Sequence, residues 1–254
     1  MKFGFSLVLW IFFLAPGLPH SLAWGFPADI DANRLLQRVD DNIWATTKFI
    51  HGRLIVDNGR KVRTLEVDNW MEGVERSYSN YTAPAREKGT KMLKVGDKLW
   101  MYTPRADRKI LIAGHMLRQS MMGSDLSYED MMEDKKLSHS YDAVLEKMEV
   151  RDGVDCAVLL LTSREEGTTY HTRRLWVDPG KGIVILQYLY AKSGKLLKQV
   201  EFKDYFLTGT RQFPRKMIFK DLLKENTETT YVFDEVEFDI EIPESYFSQS
   251  ILKR

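Results

Sequence analysis

Residues 94–132 read KVGDKLWMYTPRADRKILIAGHMLRQSMMGSDLSYEDMM, and the architecture of the chain turns on what they become. Gly96-Asp97 makes a polar turn, and the residues after it alternate in bulk as a strand does. Thr103-Pro104-Arg105-Ala106-Asp107 is a cluster of turn formers that ends the strand. The remainder is crowded with methionine: Met116, Met121, Met122, Met131 and Met132, out of 11 in the chain. Methionine is unbranched and polarisable, so it suits an apolar surface that must accept varied shapes. Ser127 is placed to cap a short helix, with Asp130 at its third position. No catalytic signature lies here. The segment predicts a soft apolar surface beside a sheet.

On either side the periodicity is close to two. Ile50, Leu54 and Val56 alternate with polar residues or glycine up to Asp57-Asn58-Gly59, a hairpin turn signal. Val62, Leu65 and Val67 carry the return strand. Strand patterns follow over 74–81, 90–95 and 97–103, and resume over 138–150 after the methionine-rich insert. Residues 154–162 and 183–190 are apolar on both faces, which requires cover on both sides. Residues 170–177, 196–207, 214–222 and 227–238 complete the series. The linkers are short, and no shift in composition marks a domain boundary.

Two helical features frame these strands. Residues 29–44 place Ile30, Leu35, Leu36, Val39, Ile43 and Trp44 roughly on one face, with Asp29 or Asp31 available as cap. At the other end Pro243 opens a final short helical turn. The expected fold is mainly β with α: a curved antiparallel sheet of about ten strands, with the N-terminal helix and the helical insert covering its concave face.

With 254 residues, 44% of them hydrophobic, the chain can bury a substantial core. A net charge of +1 implies neither nucleic acid nor an acidic membrane surface as a bulk partner. Lys2, the apolar run 3–14, the breakers Pro16, Gly17 and Pro19, and Ser21-Leu22-Ala23 read as a signal peptide over 1–23. That leaves 24–254 as a single domain, exported and soluble. Cys156 is the sole cysteine and lies in an apolar strand, so it reads as core.

Chemistry is scarce. His51, His115, His139 and His171 are scattered, without metal-ligand spacing, and no nucleophile elbow or phosphate loop occurs. Glu165-Glu166 and Asp130 with Glu133-Asp134 read as solvated charge, not an acid/base pair. No catalytic residue, metal or cofactor is expected. Arg118 beside the insert and Arg174 on a strand are candidates for a lipid head group, against the alternative of solvated cations. What remains is apolar surface, the kind a lipid cavity needs.

Several runs carry a family likeness. These are the signal-like start, Leu35-Leu36-Gln37-Arg38-Val39-Asp40, and Gly96-Asp97-Lys98-Leu99-Trp100-Met101-Tyr102-Thr103-Pro104. Ser120-Met121-Met122-Gly123-Ser124-Asp125, Tyr128-Glu129-Asp130-Met131 and the tail Ile242-Pro243 with Phe247-Ser248 and Leu252 continue it. Together they resemble the bacterial outer-membrane lipoprotein-sorting proteins of the LolA-like superfamily. The resemblance implies a half-open β-barrel whose helices close an apolar cavity, and a periplasmic carrier of lipoprotein acyl chains or another lipid, without cofactor or catalysis. It also implies delivery toward the outer membrane, with an RND-type inner-membrane exporter as a possible partner and a monomeric state. Candidates for the cavity and its lid are Leu35, Leu36, Val39, Trp100, Tyr102, Met116, Met121, Met122, Tyr128 and Met131. The helix at 29–44 and the methionine-rich insert are the candidate moving parts. The alternative is a non-enzymatic sensor or adaptor that binds lipoprotein or a membrane partner and signals through protein contacts.

Overall fold

The computed structural model describes Met1 and residues 30–132 and 135–253. The expected signal peptide, the Asp29 cap and the Glu133-Asp134 pair lie outside the described residues.

The chain opens with helix α1 (Ala32–Ile43), capped by Asp31, whose carboxylate accepts from the Asn33 and Arg34 amides at 2.9 and 3.0 Å. Six strands follow: β1 (Thr47–Asp57), β2 (Val62–Glu72), β3 (Arg76–Ala83), β4 (Lys91–Val95), β5 (Lys98–Thr103) and β6 (Arg108–Ile112). The insert comes next as short 3₁₀ turns, ending in a four-residue helix α2 (Leu137–Ser140). Seven more strands complete the sheet: β7 (Tyr141–Arg151), β8 (Val154–Ser163), β9 (Thr172–Asp178), β10 (Ile183–Tyr190), β11 (Leu196–Thr208), β12 (Arg211–Asp221) and β13 (Glu228–Phe238). Two 3₁₀ turns, Glu244–Phe247 and Gln249–Lys253, form the tail.

The strand order is β6-β5-β4-β3-β2-β1-β13-β12-β11-β10-β9-β8-β7, and neighbouring strands pair antiparallel throughout. β1 pairs with β13, so the meander curls back on itself. The two edges, β6 and β7, are consecutive in sequence but unpaired, and the insert spans the gap between them. This is one curved sheet that does not close.

Thirteen strands replace the expected ten or so. β6 was hidden because its pattern, Arg-Lys-Ile-Leu-Ile, neither alternates nor carries a strand-length apolar run. Two smaller corrections follow from local geometry. Residues 137–140 are helical, not extended, because Asp40 accepts from the Leu137 and Ser138 amides at 2.9 and 2.8 Å and caps that turn. Pro243 is the cap of the tail's first 3₁₀ turn and not its first residue.

Alternation sorts the side chains into two faces. On the concave face, Leu35, Leu36 and Val39 of α1 pack on Leu159, Leu175, Val177 and Val200 of the β7–β11 half. The insert's Met121 and Tyr128 pack on Leu54, Leu65, Met92 and Leu99 of the β1–β6 half. On the convex face the tail's Leu252 and Tyr246 cover Tyr78, Leu93, Trp100 and Trp70. Cys156, Val158, Trp176 and Leu186 form another convex cluster. The reading of β8 and β10 as apolar on both faces thus corresponds to burial on both sides.

One glycine shapes the floor. At Gly52, where the β1–β13 register shifts, a Cβ would lie 2.5 Å from the Val232 carbonyl oxygen and 2.7 Å from the Tyr231 ring. Only glycine lets Tyr231 lie flat over β1 there.

Candidate functional site

Between the two covered halves the concave face keeps a cavity of about 320 Å³, within the range of roughly 300–1,000 Å³ typical of small-molecule sites. Its floor is Ile50, Leu54, Val67, Val200, Phe202, Phe213, Met217, Tyr231 and Phe233. Its roof is Met121, Leu126 and Met131 of the insert, with Ile43 and Trp44 from the end of α1. Each wall comes from a different part of the chain, so the cavity exists only once the sheet has curled.

The roof is held by two aspartates. Asp125, 1% exposed, accepts from the Thr227 and Thr229 hydroxyls at 2.5 and 2.8 Å, and its amide donates to Thr229 Oγ1 at 2.9 Å. This pins the start of the roof to the β12–β13 end of the sheet. Asp130 lies at the far end of the same roof. Ser127 and Asp130 form a reciprocal capping box, with the Ser127 amide donating to Oδ2 at 2.6 Å and the Asp130 amide to Ser127 Oγ at 3.2 Å. The same carboxylate ion-pairs with Lys198 of β11 and accepts from the Tyr170 hydroxyl at 2.6 Å. Helix α1 is tied separately: Arg38 donates to the Pro179 and Gly180 carbonyls at 2.7 and 2.6 Å.

Of the residues singled out in the sequence, Met121 and Met131 line the cavity. Leu35, Leu36 and Val39 lie one layer away, sealed between α1 and the sheet. Tyr128, Met116 and Met122 pack in the insert's own cluster outside the lining. Trp100 and Tyr102 lie on the convex face under the tail; β5 directs Leu99 and Met101 inward instead. Arg118 is exposed in a polar groove beside the 163–171 loop. Arg174 also turns outward, ion-paired with Glu146 at 2.8 Å.

Its neighbour Arg173 faces inward. The guanidinium lies over the rings of Tyr141 and Tyr170, 4.9 and 5.4 Å from their centroids, and donates to the Tyr141 hydroxyl at 2.8 Å. Lys94, Lys48 and Lys198 also line the cavity and are buried; Lys94 donates to the Val74 carbonyl and, at 2.8 Å, to that of Met132. These polar groups interrupt the otherwise apolar lining of the cavity. Tyr81 and Tyr231 also border it, and burial drives both phenols well above their usual pKa. Strand parity could have separated Arg173 from Arg174, but β9 is covered on both faces and its composition hides the parity.

Among the described residues no cluster of three His, Cys, Asp or Glu side chains is placed to hold a metal. No described helix is long and apolar enough to cross a membrane.

The comparisons agree with this geometry. A family model described as "Uncharacterized protein" matches residues 73–254. No curated protein matches the chain in sequence. A DUF1329 family protein from Desulfovibrio piger superposes with a TM-score of 0.77 at 24% identity, over 87% of this chain and 97% of that one. A domain assigned as outer membrane lipoprotein-sorting from Vibrio parahaemolyticus gives 0.75 at 19% identity, over 88% and 98%. A LolA superfamily protein from Nitrosomonas europaea gives 0.72 at 22% identity, over 87% and 99%. The chain belongs to the family whose model spans residues 73–254, and its fold is similar to that of the LolA superfamily protein and the two other structures.

Proposed function

We propose that this protein is a non-enzymatic carrier that shelters the acyl chains of a lipoprotein or another lipid and passes them toward the outer membrane. The observation that carries this reading is the cavity of about 320 Å³, walled by aliphatic and aromatic side chains and roofed by a methionine-bearing insert. Burying acyl groups there is favourable by roughly 0.8 kcal/mol per CH₂, and methionine side chains re-pack around chains of different shape. Shape and burial suffice, without a reacting group. The lipoprotein-sorting and LolA superfamily names of the structural neighbours support the same class of cargo. Work in the periplasm, after removal of residues 1–23, fits that class, as does collection from an RND-type inner-membrane exporter.

The moving part in this reading is the insert. Helix α1 is tied to the β9–β10 turn by Arg38 and Asn42; the insert bridges a gap that no strand closes and opens by releasing the Asp130–Lys198 pair. Its lining methionines, Met121 and Met131, meet the acyl chain, and Arg173 of the same lining is the cation for the head group. Mass spectrometry of gently purified protein tests the proposal, together with titration of a fluorescent fatty acyl probe. Co-purified lipid that the probe displaces is the expected result. Absence of both lipid and probe uptake overturns it.

A further inference from the structure

The open edge of the sheet at β6 carries a feature that an acyl cavity does not require. Residues 104–119 hold four cations, Arg105, Arg108, Lys109 and Arg118, against one acid, Asp107, in a chain whose net charge is only +1. All four cations are exposed. Arg105, Arg108 and Arg118 have no hydrogen bond or acidic partner among the described residues, and the single acid is already engaged by Tyr102 Oη at 3.2 Å and Lys253 at 3.5 Å. Between the cations two large apolar side chains stand in solvent: Ile110, 36% exposed, and Leu111, 46% exposed.

Cations on an edge strand commonly serve to block unwanted pairing. That role accounts for Arg108 and Lys109 but leaves Ile110 and Leu111 unexplained, since exposed apolar groups invite the pairing that the cations oppose. The opposite edge behaves differently. On β7 the charges neutralise one another or their neighbours, through Asp142–Arg164, Glu146–Arg174 and Lys147–Glu149. The β7 edge also exposes Val144, Leu145 and Val150, but its acids offset its cations, whereas on the β6 edge the exposed apolar side chains stand beside an excess of positive charge.

The register sets which partner this edge suits. Ile110 pairs with Met101 and points to the concave side, whereas Leu111 pairs with Trp100 and points to the convex side. Arg108 and Lys109 divide between the two faces in the same way. A protein surface docking on the strand would meet one face. A bilayer interface surrounds an edge on both, taking apolar groups into its acyl boundary and cations among its phosphates.

We propose that the β6 edge, with the turns at Arg105 and Arg118, docks on the anionic head groups of a lipid bilayer, Ile110 and Leu111 entering the interface. The edge also borders the gap that the insert spans, so docking brings that gap against the membrane. This is separate from the carrier reading: vesicle binding can fail while acyl uptake persists, and the reverse.

Co-sedimentation of the purified full chain with phosphatidylcholine vesicles, with or without phosphatidylglycerol, tests the proposal. Binding is expected to be stronger to the anionic vesicles, and the difference should fall as salt rises. Arg105→Gln with Arg108→Gln should weaken it roughly 25-fold, at about fivefold for each charge removed. Ile110→Ser with Leu111→Ser should weaken it while leaving the salt dependence. These side chains are exposed, so unchanged thermal melting confirms that the variants fold. The variants keep residues 1–23, so any pull of that apolar stretch on a bilayer cancels in the comparison. Equal binding to neutral vesicles, or variants that bind like the wild type, overturns the proposal. It is also overturned if the wild type ignores vesicles and forms oligomers that Leu111→Pro disperses, since the edge would then pair with protein.

Discussion

Asp130 of the insert and Lys198 of β11 form an ion pair across the roof of the cavity, with the Tyr170 hydroxyl on the second carboxylate oxygen at 2.6 Å. The insert packs its methionines on the β1–β6 half, while this pair reaches the β7–β13 half. It is a polar tie between the two sides of an unclosed sheet. The Lys198 side chain is only 9% exposed, so the carboxylate takes the place of most of its hydration.

Asp130→Ala should therefore destabilise the fold by about 3–5 kcal/mol, the cost of leaving a buried charge without its partner. Adding Lys198→Met should recover much of that loss, because the stranded charge goes with it. Urea denaturation of the two variants checks this. A double variant no more stable than Asp130→Ala would show that the pair is not the tie described.

The other pin predicts a different pattern. Asp125→Asn keeps the shape but weakens acceptance from Thr227 and Thr229, and should cost about 1–3 kcal/mol. Thr229→Val should lose a comparable amount and add little to the first change, since both remove the same contact. A double-mutant cycle read by denaturation gives the coupling.

For the cavity, Met131→Glu places a carboxylate in the apolar roof. Acyl-probe affinity should fall at least tenfold, and more above the carboxylate's pKa than below it, because the charged form resists burial. A fluorescence titration at two pH values measures this. Met116→Glu, outside the lining, serves as the control.

Cys156 is sealed in the convex cluster, and burial pushes its thiol pKa up to about 11. The thiolate is the reactive form. At pH 8 the native protein should therefore be nearly inert to a thiol-specific chromogenic reagent, and one equivalent should react at once in denaturant. Rapid labelling of the native protein would contradict this burial.

Tyrosine titration gives a stability prediction at high pH. Burial raises Tyr78 to about 12 and pushes Tyr205 and Tyr231 above their usual values. A group whose pKa is raised on folding lends stability that is present below its unfolded pKa, about 10, and lost as pH climbs toward the folded one. Stability should hold up to about pH 10 and then fall steeply, with the tyrosinate absorbance of these residues appearing together with unfolding.

Much of the sheet was legible because hairpin turns and period-two runs are local signals. β10 was read over 183–190 and forms over Ile183–Tyr190; Ser127 and Asp130 were read as a capping box and form one. β6 escaped because an exposed edge strand needs no alternation: neither of its faces is fully covered, so no pattern is imposed. The site was legible in kind but not in detail. Met121 and Met131 are at the lining, yet Trp100, Tyr102 and Arg174 face away from it. Where both faces of a strand are covered, hydrophobicity no longer reports which side is in.

The sequence by itself determined an antiparallel β protein with one amphipathic helix and a methionine-rich insert, because turns, caps and periodicity act over a few residues. Only the tertiary structure decided that β1 meets β13, that the insert bridges the gap between β6 and β7, and that Asp130 reaches Lys198. Those contacts join residues far apart in the chain. They arise from how far the sheet curls, a property of thirteen strands packed together and of no single stretch.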